Sequence, residues 1–147
     1  MPTVVVCSSA SFYRHAITIE SKLRELGFDV VLPHNAYKMA EKDDFDTSHT
    51  KTWYENPEEY HKKSDYMRRH FDEIAKDSCD MILVLNDEKH GQPHYIGPNV
   101  LMEMGLAFFF KKPIYILNEI PKNSPFEEEI KGFMPTVLHG QLDAIAL

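Results

Sequence analysis

The chain reads as one α/β domain spanning residues 1–147, a doubly wound three-layer sandwich of about five parallel strands, Rossmann-like or flavodoxin-like. Three observations predict this. Short apolar or β-branched runs recur at 3–7, 28–32, 81–85, 113–117 and 136–138, with the length and composition of buried strands. Helical patterns separate most of them. The first strand, tight loop, helix and second strand fit in about 30 residues, a βαβ unit that implies parallel pairing and a right-handed crossover.

The elements follow in order. Residues 3–7 form a β-branched strand that runs into a small-residue turn of Ser8, Ser9, Ala10 and Ser11. Residues 13–26 make an amphipathic helix on Ile17, Leu23 and Leu26, closed by Gly27. Pro33 stops the second strand. Residues 35–56 are polar, rich in Asp, Thr and His, and lack a period beyond a short helical piece near 36–41. Such an insertion is either a lid or a surface loop. As a lid it would bring Trp53 or Tyr54 to stack on a flat base; as a loop, the same rings pin it to the core. Asn56 then caps a helix opened by Pro57 and running to about residue 76, with Met67, Phe71, Ile74 and Ala75 as its buried stripe. The run 81–85 has no polar residue and is a central strand, with Asn86 at its carboxyl end.

The most informative stretch is IGPNVLMEMGLAFFFKKPIYIL, 96–117. Gly97 and Pro98 start a helix that is apolar on nearly every side, and Glu103 is its one carboxylate. An ionised carboxylate there is costly unless it is paired or lines a cavity. Asn99 lies one turn earlier on the same face. In this fold class ligands sit beyond the carboxyl ends of the strands. The Ser8–Ser11 turn, Asn86 and the start of the Glu103 helix therefore converge. The serine turn before a helix is either an anion cradle or a plain tight turn.

Bulk properties bound the function. A net charge of −7 argues against a nucleic-acid binder but leaves room for a small anionic ligand. No apolar stretch is long enough to span a bilayer, and the start lacks the basic region of a signal peptide, so a cytoplasmic location without membrane partners is expected. Cys7 and Cys79 read as buried reduced thiols. Cys7 has no partner His at motif spacing, which favours an inert thiol over a nucleophile. His90 and His94 are four apart, but Gly91 and Pro93 interrupt any helix there and nothing completes a ligand set, so no metal is expected. Phe108, Phe109 and Phe110 read as core or a subunit contact, and the buried helix suggests a homodimer or higher homo-oligomer.

The segment CDMILVLN, a loop, and NVLMEMGLAFFFKKPIYIL together resemble the nucleoside 2-deoxyribosyltransferase superfamily, which includes deoxynucleoside 5′-monophosphate N-glycosidases. The matching residues are Glu103, Met104, Gly105, Leu106 and Ala107, then Lys112 and Pro113, with Asp72 eight residues before Asp80. The resemblance implies a small-molecule nucleoside or nucleotide as partner and no cofactor. Glu103 would be the nucleophile at the anomeric carbon, forming a glycosyl ester. Asp72 would bind sugar hydroxyls; an exposed ion pair with Arg68 explains it as well. Gly97 and Asn99 would lie near the sugar or its 5′ group, and Ser9 with Ser11 would receive a 5′-phosphate or hydroxyl.

Departures from the family pattern matter. Transferases carry an acid six positions before the nucleophile, where this chain has Gly97, which favours hydrolysis over transfer. The phosphohydrolase type has Arg in the first turn, where this chain has Ser11; Arg14 is a substitute or a solvated residue. The loop before Glu103 is longer than in the family, and Asp87, His94 or Tyr95 from it are candidates to protonate the leaving base. Two other functions remain: a non-catalytic nucleotide-binding or signalling domain, and an NAD glycohydrolase.

Overall fold

The computed structural model describes residues 1–145. Five strands, β1 (Thr3–Ser8), β2 (Asp29–Val31), β3 (Met81–Leu85), β4 (Ile114–Ile116) and β5 (Thr136–Val137), form one sheet in the order β2-β1-β3-β4-β5. Every pairing is parallel, with Val4 beside Val30 on one side and Met81 on the other, Ile82 beside Ile114, and Ile116 beside Val137. This is the expected doubly wound α/β sandwich.

Alternate residues of each strand feed opposite faces. Val4, Val6, Leu83 and Leu85 pack with Phe12, Ala16, Ile19 and Leu23, most of them from α1 (Tyr13–Glu25). Val5, Cys7, Ile82, Val84 and Ile116 pack instead on Ile74 of α3 (Tyr60–Ala75) and on Val100, Met104 and Ala107 of α4 (Pro98–Phe109). Ile130 of α5 (Glu127–Gly132) joins the second layer. Both faces of the central strands are covered, which accounts for their unbroken apolar runs.

The polar insertion is more ordered than its composition suggests. Residues His34–Lys42 form a helix, α2, with Ala36 and Met39 buried and Asp43 in the left-handed region closing it. From there to α3 the chain makes three short 3-10 turns: Thr47–His49, Thr52–Tyr54 and Pro57–Glu59. Asn56 does not cap through its side chain; its amide donates back to the Thr52 carbonyl, and α3 begins only at Tyr60. Trp53 is buried against the rings of Tyr60 and Tyr66, so it pins this segment, whereas Tyr54 is exposed.

Phe108, Phe109 and Phe110 are exposed and are not core. Lys111 and Lys112 follow directly, and the Lys112 ammonium caps the carbonyls of Lys76 and Cys79 at the far end of the sheet. Among the described residues, no helix is long and apolar enough to cross a membrane.

Candidate functional site

The carboxyl ends of β1 and β3 open into a cavity of about 380 Å³. Its walls come from five separated segments: Ser8, Ser9 and Tyr13 after β1, Asn35 and Met39 on α2, Lys51, Trp53 and Tyr54 in the insertion, Lys63, Tyr66 and His70 on α3, and Lys89, Tyr95, Gly97, Asn99 and Glu103 around the start of α4. The volume suits a small ligand.

Glu103 reaches this cavity from the second turn of α4, and only 8% of the residue is exposed. Burial pushes its carboxyl up to about 8, against the pull of the Lys63 ammonium. His70 stands beside it, with Nε2 3.6 Å from Glu103 Oε2. That separation would suit an ion pair, yet burial drives the imidazole down to about 4 while a hydrogen bond to the Val6 carbonyl opposes the shift. Both groups are therefore neutral near pH 7. The Nε2–H donates to Val6 O at 2.9 Å, so Nε2 offers no lone pair to Glu103. Tyr13 also faces this floor, its phenol raised by burial and by Glu103.

A cluster of cations surrounds the mouth. Lys89 Nζ donates to Ser9 Oγ at 3.2 Å and sits 5.0 Å from the centre of the Tyr95 ring. Lys51 is half-buried, and burial followed by repulsion from Lys89 and Lys63 lowers its ammonium. Burial lowers Lys63 too, with Glu103 opposing. Among the described residues, Glu103 is the only acidic one lining the cavity, against these three lysines. An anion entering the mouth would relieve the repulsion among them.

The loop after β3 explains how Lys89 arrives. Lys89 and Gln92 pair across a tight turn in which His90 and Gly91 both have positive φ. The chain then returns to α4 by way of Tyr95, whose N–H donates to Asp87 O. Tyr95 also accounts for glycine at 97. A Cβ there would lie 2.7 Å from the Tyr95 hydroxyl, so the ring occupies the space a side chain would need.

The structure gathers Ser8, Ser9, Trp53, Tyr54, Tyr95, Gly97, Asn99 and Glu103 around the one cavity. Four other expected residues do not line it. Asp72 is exposed on α3, two positions beyond the inward-facing His70. Counting back from Asp80 cannot fix helix phase, because α3 ends at Ala75 and irregular chain intervenes. Asn86 is fully buried: its amide donates to Glu119 O at 2.9 Å and accepts from Asn118 N at 2.9 Å, a latch between β3 and the chain after β4. Ser11 is exposed, and its backbone N–H points to Ser9 Oγ. His94 is half-buried outside the lining. Of the substitutes considered, Arg14 stacks over Phe45 and Asp87 pairs with His15 at 2.7 Å.

Sequence reasoning missed His70, Lys51, Lys63, Lys89 and Asn35. A signal for His70 was present: Met67, His70, Phe71 and Ile74 follow the i, i+3, i+4, i+7 spacing of one helical face. Asn35 lines the cavity, and its side-chain oxygen is buried without a protein donor.

Comparison with protein-family models, with curated proteins and with solved structures finds no match for this chain.

Proposed function

We propose that the protein cleaves the N-glycosidic bond of a nucleoside 5′-monophosphate, deoxyribosyl substrates being favoured, with Glu103 as attacking carboxylate and water as acceptor. One observation carries this reading: a single buried carboxyl on the floor of a ligand-sized cavity whose mouth holds three lysines and a serine. The lysines do the work for which the resemblance to nucleoside 2-deoxyribosyltransferases and monophosphate N-glycosidases leaves a gap at Ser11.

In the first step a Glu103 oxygen bonds to the anomeric carbon as the bond to the base nitrogen breaks. The base leaves with a proton, for which the Tyr95 hydroxyl is the candidate donor. In the second step water attacks the anomeric carbon as its bond to Glu103 breaks, its proton passing to the Tyr95 phenolate left by the first step, which releases the sugar phosphate and regenerates both the carboxylate and the Tyr95 hydroxyl. Lys63 favours the ionised form that the first step requires. Glycine at 97 leaves no acid to handle an incoming base, which favours water over transfer.

A second reading, a nucleotide-binding domain without catalysis, is favoured by the carboxyl being raised to about 8. Incubation with deoxynucleosides, ribonucleosides, their 5′-monophosphates and NAD, with free base followed by chromatography, separates the two. Base release lost in Glu103→Gln supports cleavage; binding without release supports the second reading. Release of nicotinamide alone identifies an NAD glycohydrolase.

A further inference from the structure

Two residues of the cavity lining, His70 and Glu103, form a triangle of side chains with Cys7 buried behind them, and the glycosidase reading uses one corner of it. Cys7 comes from β1, His70 from α3 and Glu103 from α4, all three buried, and one donor atom from each lies within 4.8 Å of the others. Cys7 Sγ is 3.7 Å from His70 Nε2, which is 3.6 Å from Glu103 Oε2. We propose that Cys7, His70 and Glu103 bind a thiophilic divalent cation, zinc by the nature of the donors, with a fourth coordination position facing the cavity.

The geometry is close to what zinc requires. Bonds of about 2.3 Å to sulfur and about 2.0–2.2 Å to nitrogen and oxygen, at tetrahedral angles, separate neighbouring donors by roughly 3.3–3.6 Å. The Cys7–His70 and His70–Glu103 edges need to shorten only slightly, and the Cys7–Glu103 edge, within 4.8 Å, closes by at most about 1.5 Å as the side chains swing onto the metal. A thiolate, an imidazole and a carboxylate together select zinc over magnesium or calcium, which prefer all-oxygen sites. Three protein ligands with one open position is the pattern of zinc sites that exchange ligands. The three donors sit on separate elements of a closely packed layer, and loading asks that the His70 ring turn its Nε2 away from the Val6 carbonyl toward the other two donors.

Loading balances in charge. The Cys7 thiol and the Glu103 carboxyl each release a proton to solvent, and the His70 N–H moves from Nε2 to Nδ1, freeing Nε2 and the Val6 carbonyl. Two anionic ligands then neutralise the dication, leaving no net charge buried. A metal on Glu103 occupies the carboxylate that would attack sugar, so zinc inhibits cleavage; this consequence rests on the proposed function, whereas binding does not.

The test is titration of chelator-treated, full-length protein with Co²⁺ and then Zn²⁺. Expected are one equivalent bound, a thiolate-to-cobalt charge-transfer band in the near ultraviolet, and its displacement by Zn²⁺. The band disappears in Cys7→Ser and persists in Cys79→Ser. Affinity in His70→Ala and Glu103→Gln falls by more than the roughly 10–100-fold that loss of an outer-shell partner costs. Circular dichroism establishes that each variant is folded, and Glu103→Gln reports from the cavity side should Cys7→Ser fail to fold. No band with the folded wild-type protein, a band that survives in folded Cys7→Ser, or an unchanged affinity in Glu103→Gln overturns the site. Base release assayed on the metal-free protein separates the two ideas. Cobalt binding without any release leaves the metal site standing and defeats the glycosidase reading, and release without binding does the reverse.

Discussion

Lys89 Nζ donates to Ser9 Oγ at 3.2 Å, joining the loop after β3 to the turn after β1 across the mouth of the cavity. On the proposed function the contact places a cation at the 5′ phosphate, and Lys51, which also lines the cavity, repels it. Lys89→Ala should therefore raise KM for a nucleoside 5′-monophosphate about tenfold or more, as expected for a charge-assisted contact. KM for the matching nucleoside should change little, and the difference should shrink as salt rises. Steady-state kinetics on both substrates checks this; equal effects on the two would remove phosphate from the proposal.

Glu103→Gln should abolish base release while keeping the fold, because the amide matches the carboxyl in shape and cannot attack. In the wild type, kcat/KM should rise about tenfold per pH unit up to about 8 and then level off, since only the ionised carboxylate is competent. A rate that falls with rising pH over that range would make Glu103 a proton donor instead.

The same carboxyl links stability to pH in metal-free protein. Its pKa in the folded protein is raised from 4.5 to about 8, so its contribution is full below 4.5 and is lost as pH climbs toward 8. His70 is lowered from 6.5 to about 4, so its contribution grows as pH rises from 4 to 6.5. The two oppose each other up to pH 6.5, and above it Glu103 acts alone. Stability should thus fall by about 2 kcal/mol between pH 6.5 and 8. Urea melts across this range should show the decline in the wild type and only a small remainder in Glu103→Gln, from exposed His49, whose imidazole the Asp44 carboxylate raises above 6.5.

Asn86 and Asp72 should behave as opposites of what strand-end position and spacing suggest. Asn86→Ala removes a buried latch that both donates and accepts, at a cost of about 2–4 kcal/mol. Asp72→Ala changes an exposed position and should stay within about 0.5 kcal/mol, with base release intact. Denaturant melts paired with the release assay test both; loss of release in a stable Asp72→Ala would restore Asp72 to the site.

The parts of the molecule legible in the sequence are those whose pattern is local. Unbroken apolar runs announced the central strands because both sheet faces are covered, and Glu103 stood out as one carboxyl in an apolar helix. The weak points were positions set by phase or by tertiary approach. His70 displaced Asp72 because two residues along a helix turn a side chain by about 200°. Lys51 and Lys89 lie in polar stretches where lysine is ordinary, and only folding brings them within reach of each other. The tight turn at His90 and Gly91, which aims Lys89, carries no periodic signal at all.

Trp53 has a consequence for how ligand choice is encoded. Ser8, His70 and Glu103 come from β1, α3 and α4 and are held by the packing of the domain, whereas residues 43–59 are tied down by the Trp53 indole wedged between tyrosines and by the Phe45 ring under Arg14. On the proposed function, chemistry and selectivity thus reside in separable pieces of chain. A segment exchanged between Asp43 and Glu59 that keeps an aromatic anchor at position 53 would retune which molecule is accepted without rewriting the reaction performed on it.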